Sequence, residues 1–509
     1  MIKIYIYIII INLYKYCMVS IINKKTKTDT NSVTGSAGIK SINSLSINDE
    51  RKYDTIPFRI DFIKDILENN DLEPIVDFNN LETESFVHPN GYSCIKDGSS
   101  NNLLGDSKGN KSGKGSIDSS DSSHDVRAIL NKKKIDFYKV INEIGGKLRY
   151  IKSGTTGHTF KGIITTDAGV SVNYAVKVVA YPKKEKYGDL NDARRPENAE
   201  LMMIRLLSYF VVKKQTPHIV LPIGTFYANI TPFINLIDGN YVDKENKRYQ
   251  EFIDKYNNGE YYDVVSILIS EWANRGDLLE FVKKNYKEFT TLHWKVIFFQ
   301  IISVLAVIQS KFPSFRHNDM KANNVLIHKI GQRGTIFSYI VCKKKYYVPN
   351  IGYQIKLWDF DFSSIPGVIE NAKVNAKWTD EINVKPVQNR YYDLHYFFNT
   401  FIKKGFFPEL MEDANISKEI KDFVNRLVPS KYQSGELVTK KGRVLTNEEY
   451  LIPDDVLRND VFFEEFRNYR PKKTEDKNTV NKMSLVTEDT HKKDATNVIK
   501  KKYILSSDK

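Results

Sequence analysis

The sequence predicts an α+β protein of two lobes, the first rich in strands and the second mainly helical. Three observations predict it. Strand-like runs, "KLRYIKS", "HTFKGIITT" and "SVNYAVKVVAY", cluster between residues 147 and 181. A long stretch, "WKVIFFQIISVLAVIQ", carries apolar residues at the spacing of a buried helix. Dense periodicity of this kind fills residues 134–468, and polar sequence of a different character flanks it. The expected layout is a leader (1–133), a folded domain (134–468) and a charged, disordered tail (469–509). The first lobe would end at 270, a connector would span 271–277, and the second lobe 278–468.

The elements follow in order. "RRPENAELMMIRLLSYFVV" reads as a helix, with Pro196 suited to its first turn. "VVSILISEW" is a buried strand, and "GDLLEFVKKN" opens another helix. "VLIH" is a short strand after the long helix. The leader contains "KDGSSNNLLGDSKGNKSGKGSIDSSDSSHD", too polar to bury a core and expected to be disordered. Within the leader, "YDTIPFRIDFIKDIL" has the pattern of a short helix that docks elsewhere. At the start, the apolar run from Ile4 to Tyr14 is too short to span a bilayer, and no small-residue cleavage site follows. An anchor, a packing strand and translation from Met18 compete there; the last is preferred, and membrane association stays open.

The formal net charge is +14, from 76 Lys+Arg against 62 Asp+Glu. That suits an anionic partner. The excess is scattered through lysine-rich loops, however, so a primary role in nucleic-acid binding is not favoured. The three cysteines (Cys17, Cys94, Cys342) form no CxxC and no His/Cys cluster. A disulfide scaffold or structural zinc site is thereby excluded, and an intracellular, reducing compartment fits.

Chemistry gathers at four places. "KSGTTGHTFKG" puts Gly154 and Gly157 in a turn between two strands, where backbone N–H groups can approach phosphates. A full Gly-x-Gly-x-x-Gly would need glycine at Lys152, so the loop is degenerate. "YAVKVVA" places Lys177 inside an apolar strand, which calls for an anionic partner. Glu200 of the next helix is the preferred partner and Glu197 the alternative, because Met203, Ile204 and Leu207 share the side of Glu200. "HNDMKANN" fits H-x-D-x-K-x-x-N through His317, Asp319, Lys321 and Asn324. In a phosphoryl-transfer loop the aspartate orients an attacking hydroxyl and accepts its proton, the lysine reaches the phosphate, and the asparagine ligates a metal. Last, "QIKLWDFDFSS" ends a strand in Asp359, a second oxygen ligand for Mg²⁺.

Together these residues, in order and each in its proper element, resemble the eukaryotic-type protein kinases over roughly 140–430. The resemblance implies the two-lobed kinase fold, with ATP and Mg²⁺ (or Mn²⁺) as cofactors and protein substrates bearing Ser/Thr hydroxyls. In "SEWANRGDLLEF" it implies that the backbone of Glu271 and Ala273 holds adenine and that Asp277 faces the ribose. By the same register Ser270 is the gatekeeper, Leu326 the floor under adenine, and Asp393 a structural brace for the catalytic loop. "DFDFSSIPGVIENAKV" followed by "RYYDLHYFFNTFIKK" is similar to the serine/threonine kinases of poxviruses and other large DNA viruses that act in virion assembly. This implies a viral protein in host cytoplasm or virion.

Several positions depart from the kinase pattern. Asp361 replaces the glycine of D-F-G, Asn318 stands where an arginine is usual, and no A-P-E follows, so the peptide-docking floor must be built differently. The insert "KIGQRGTIFSYIVCKKKYYVPNIGY" is expected to extend a β-hairpin with a lysine-rich, solvated tip. A catalytically inactive pseudokinase scaffold and a small-molecule kinase of related fold are the rival readings. Retention of Lys177, Asp319, Asn324 and Asp359 argues against the first, and Lys321 against the second.

Overall fold

Five antiparallel strands in the order β1-β2-β3-β5-β4 build the first lobe. They are β1 (Lys147–Ser153), β2 (His158–Thr165), β3 (Ser171–Pro182), β4 (Pro222–Asn229) and β5 (Tyr261–Glu271). The computed structural model of the chain describes residues 55–68, 70, 72–78, 125–165, 171–331 and 335–470. The N-terminal apolar run, the Ser/Gly-rich part of the leader and the charged tail lie outside the described residues. β3 is buried along most of its length, as expected of a β-branched run at the centre of a sheet. At the β1–β2 turn the Gly154 N–H donates to the Gly157 carbonyl (2.8 Å).

Part of the segment that composition assigns to the leader belongs to this lobe. Helix α1 (Ile56–Glu68) packs Ile56, Ile60, Ile63 and Ile66 into the common core, and Leu72, Ile75 and Phe78 continue the contact. An apolar stripe at helical spacing has to be buried somewhere, and the sheet offers the surface. Residues 125–133 dock as well. Lys132 is wholly buried, with its Nζ 2.9 Å from Tyr181 Oη, 2.7 Å from Ser266 Oγ and over the Tyr227 ring. The boundary at 134 therefore cuts through packed structure.

Helix α2 (Phe137–Ile144) precedes β1, and α3 (Pro196–Val212) crosses behind the sheet with Pro196 in its first turn. An unanticipated helix, α4 (Lys247–Asn257), lies between β4 and β5. Its Tyr249 and Phe252 rings each pack 4.5 Å from His158 at the start of β2, behind the glycine turn.

The second lobe forms around α6 (Thr291–Lys311), which follows α5 (Leu278–Asn285). α6 is apolar around most of its circumference and accordingly buried without a break from Val296 to Gln309. α7 (Tyr392–Phe401) and α8 (Lys418–Leu427) pack on it through Phe298, Phe398 and Phe423. β6 (Val325–Lys329) pairs with β9 (Tyr353–Leu357). The insert between them forms the expected hairpin, β7 (Ile336–Val341) and β8 (Lys344–Pro349). Its Tyr339 ring stacks on His218, which anchors the hairpin to the lobe junction.

Candidate active site

The cleft between the lobes is lined by residues from β3, α3, the 316–325 loop and the end of β9. Lys177 Nζ lies 2.6 Å from Glu200 Oε1 and 3.1 Å from Asp359 Oδ1. Burial alone would lower the lysine pKa, but the two carboxylates outweigh it and hold the ammonium charged. Two carboxylates share one cation, so their titrations diverge. Burial would raise Asp359, yet Lys177 keeps it below the ordinary range; Glu200 is pushed up to about 7 by burial. The alternative partner, Glu197, pairs instead with Arg195 (3.3 Å).

The 316–325 loop is held from below by Asp393 at the start of α7. Its two oxygens accept the backbone N–H groups of His317 (2.7 Å) and Asn318 (2.9 Å). The His317 Nε2 reaches the Trp358 carbonyl (3.0 Å), which ties the loop to the residue before Asp359. Asn318 has a φ of +63°, in the left-handed region where asparagine is among the residues best tolerated. Its amide donates to the Phe362 carbonyl (2.9 Å). A cation of this loop stands two places earlier: Arg316, buried, donates to the carbonyls of Asn383 and Val387 and lies 3.5 Å over the Tyr392 ring.

Asp319 presents its carboxylate at the loop's tip. Lys321 Nζ is 2.8 Å from Oδ2, and Asn324 Nδ2 is 2.9 Å from both Oδ2 and the Asp319 carbonyl. Because the Asn324 amide hydrogens turn to Asp319, its carbonyl oxygen is left without a partner among the described residues. That oxygen and the Asp359 carboxylate suit Mg²⁺, which takes few protein ligands and completes its shell with water and phosphate. Among the described residues no cluster of three or more His, Cys, Asp or Glu could hold a metal alone.

On the nucleotide side, Ser270 is buried on β5 opposite Ala175, and Ala273 is buried just beyond. The Glu271 N–H is already donated to the Leu221 carbonyl (3.1 Å), and its own carbonyl accepts a long bond from Ser270 Oγ (3.4 Å), leaving that oxygen a second lone pair for adenine. Asp277 caps α5 by accepting from the Glu280 N–H (3.0 Å), with Lys152 of the glycine turn 4.0 Å away. Leu326 lies on β6 and bridges to Asp277.

Three features of the site escaped the sequence reading. The Asp361 carboxylate is paired: Lys373 binds it, and the Asn371 amide donates to the Asp361 carbonyl (2.9 Å). Arg59 of α1 grips Glu271 with Nε (2.7 Å) and Nη2. Arg443 reaches Asp319 Oδ1 (2.7 Å). Of the three, only Arg59 carried a signal, being a cation within the apolar stripe of an amphipathic helix.

A sheet lobe that offers a paired lysine to phosphates, facing a helical lobe that offers a carboxylate to a hydroxyl, is the plan of a protein kinase. Comparison with known proteins narrows the class. Residues 188–464 match the family described as poxvirus serine/threonine protein kinase. A protein of Acanthamoeba polyphaga mimivirus, named as a candidate serine/threonine-protein kinase, is 41% identical over 460 residues, covering 89% of each chain. Serine/threonine-protein kinase 2 of Monkeypox virus is 30% identical over 155 residues, 30% of this chain and 32% of that one. The Vaccinia virus (strain Western Reserve) protein of the same name gives the same figures. The chain belongs to the poxvirus serine/threonine protein kinase family and is a serine/threonine protein kinase.

Proposed function

We propose that the chain transfers the γ-phosphate of ATP to serine and threonine hydroxyls of protein substrates, with Mg²⁺ or Mn²⁺ held by Asn324 and Asp359. The observation that carries this reading is Lys177 poised between Glu200 and Asp359 across the two lobes. Lys177 binds the α- and β-phosphates, and the N–H groups of the Gly154–Gly157 turn cover them. The Glu271 carbonyl and the Ala273 N–H hold adenine above Leu326, and Asp277 faces the ribose. Asp319 accepts the proton of the incoming hydroxyl, while Lys321 stabilises the transferring phosphoryl group. The metal, when bound, neutralises phosphate charge. Catalysis is then mostly positioning and charge stabilisation. The setting we infer is virion assembly in host cytoplasm or virion, supported by the family to which the chain belongs.

Radiolabelled ATP, the full-length chain, and casein or myelin basic protein form the test, beside Asp319→Asn and Lys177→Met. Label on serine or threonine that both substitutions abolish is the expected result. No label with either metal, together with no nucleotide-dependent thermal shift, would overturn the reading in favour of a scaffold.

A further inference from the structure

The carboxylate of Asp319 is more heavily occupied than the motif around it requires. An ionised carboxylate has about four lone-pair sites. Lys321 and Asn324 take two on Oδ2, and both come from the loop itself. A third, on Oδ1, is taken by Arg443, which arrives from 124 residues downstream. The Tyr396 hydroxyl also lies within hydrogen-bond reach of Asp319. An acceptor hydroxyl that gives its proton to Asp319 approaches a carboxylate whose Oδ1 already faces the guanidinium.

Arg443 is held for this contact. It closes a turn in which the Thr439 N–H donates to the Arg443 carbonyl (2.8 Å) and the Arg443 N–H to Thr439 Oγ1 (3.0 Å). Gly442, at φ +88°, supplies the left-handed residue the turn needs. The Asn399 amide of α7 donates to the Gly442 carbonyl (2.9 Å), and the Asn383 amide to that of Val444. The guanidinium lies 4.2 Å over the Tyr396 ring and donates from Nε to the Asn318 carbonyl (3.3 Å). A guanidinium that is 5% exposed, gripped by a ring and a carbonyl, has little freedom except to point at Asp319.

We propose that Arg443 is a positioning residue of the phosphoryl transfer. It locks the rotation of the Asp319 carboxylate and so fixes the orientation in which a serine or threonine hydroxyl meets it. It also sets a fixed cation beside the oxygen on which negative charge grows as the proton leaves. The turn at 438–444 is thereby the acceptor-side wall of the site, in the place where the sequence lacks an A-P-E segment. This proposal rests on the assignment of Asp319 as the residue that receives the proton.

The test is steady-state kinetics of the full-length chain on dephosphorylated casein, with Arg443→Met, Arg443→Lys and Asp319→Asn measured side by side. Arg443→Met is expected to lower kcat 10- to 100-fold while KM for ATP stays within twofold. Arg443→Lys, which keeps the charge, is expected to recover part of the loss. Guanidinium ion at millimolar concentration should raise kcat of Arg443→Met and leave that of the parent unchanged. An unchanged kcat in Arg443→Met, with Asp319→Asn inactive, would overturn the role of Arg443 alone. Activity retained in Asp319→Asn would overturn the site assignment beneath it. Should Arg443→Met fail to fold, Arg443→Lys decides: a fall in kcat at constant KM supports the role, and parental kcat overturns it.

Discussion

Arg59→Ala is the substitution that tests whether the N-terminal helix is part of the enzyme. Arg59 grips Glu271 with two nitrogens and donates to the carbonyls of Pro217 (3.0 Å) and Ile219 (2.7 Å). The pair is buried, with the two side chains 6% and 15% exposed. Removing one partner leaves the Glu271 charge uncompensated, and breaking such a pair costs about 3–5 kcal/mol. With an unfolding entropy of about 2.1 cal/mol/K per residue over a cooperative unit spanning 55–470, the melting temperature falls by about 4–6 °C. Arg59→Met combined with Glu271→Gln should recover most of this, since a buried ion pair replaced by neutral groups is often close to neutral. Thermal and urea unfolding of the full-length chain are the assays, with KM for ATP expected to rise several-fold because β5 ends at Glu271. A loss under about 1 kcal/mol for Arg59→Ala, or a double variant no better than the single one, would refute the reasoning.

The same pair fixes a pH dependence. Burial would push the Glu271 carboxyl up, but Arg59 and Lys356 together hold it below the usual range. A depressed folded pKa stabilises above the unfolded carboxylate value of about 4.3, and that contribution disappears as pH falls through the folded value. The gap between parent and Arg59→Ala should therefore be widest at neutral pH and narrow as pH falls, because Glu271 in the variant keeps its burial and loses the cation that holds its carboxyl down.

Further expectations concern the cleft and the segment after Asp359. An added Cβ at Gly157 would lie 2.7 Å from the Val178 carbonyl oxygen, whereas at Gly154 the nearest atom is 3.6 Å away. Gly157→Ala is expected to cost about 1–3 kcal/mol and raise KM for ATP, and Gly154→Ala to change neither; equal effects would refute the turn geometry. Ser270→Phe should weaken bulky adenine-analogue inhibitors at least about tenfold, and unchanged potency would refute the connector register. Lys373→Met strands the buried Asp361 charge and is expected to lower stability by about 3–5 kcal/mol, most of it recovered in the double variant with Asp361→Asn. Exhaustive phosphatase treatment should leave turnover within about twofold, because no charge in the catalytic loop awaits a phosphate; a tenfold loss would refute this.

The residues that could be read from sequence share a property. Lys177, His317, Asp319, Asn324 and Asp359 are unusual for the elements that carry them, so each stands out locally. Glu200 became legible through the apolar side of the helix it shares with Met203, Ile204 and Leu207, and Asp393 through the kinase resemblance. Arg443 offered no such contrast, because "VTKKGR" is what a solvated basic turn looks like. Its meaning depends on a fold that returns the chain to Asp319. α4 was invisible for a different reason: its polar outer face and two buried aromatics, Tyr249 and Phe252, resemble a loop that happens to carry rings. The short docking helix read in "YDTIPFRIDFIKDIL" is α1, but the leader's average polar composition hid that it belongs to the folded unit.

Each departure from the kinase pattern is met by a contact that performs part of the missing task. The switch glycine is absent, and Asp361 in its place is pinned by Lys373, so the segment after Asp359 is held by charge where other kinases let it pivot. The loop arginine is absent at Asn318, yet Arg316 binds the Asn383 and Val387 carbonyls directly and needs no phosphate as intermediary. The A-P-E segment is absent, and the 438–449 chain packs beside the catalytic loop, tied in by Asn383, Asn389, Asn399 and the Arg390–Glu449 pair. The first two substitutions exchange a mobile or modifiable part for a fixed one.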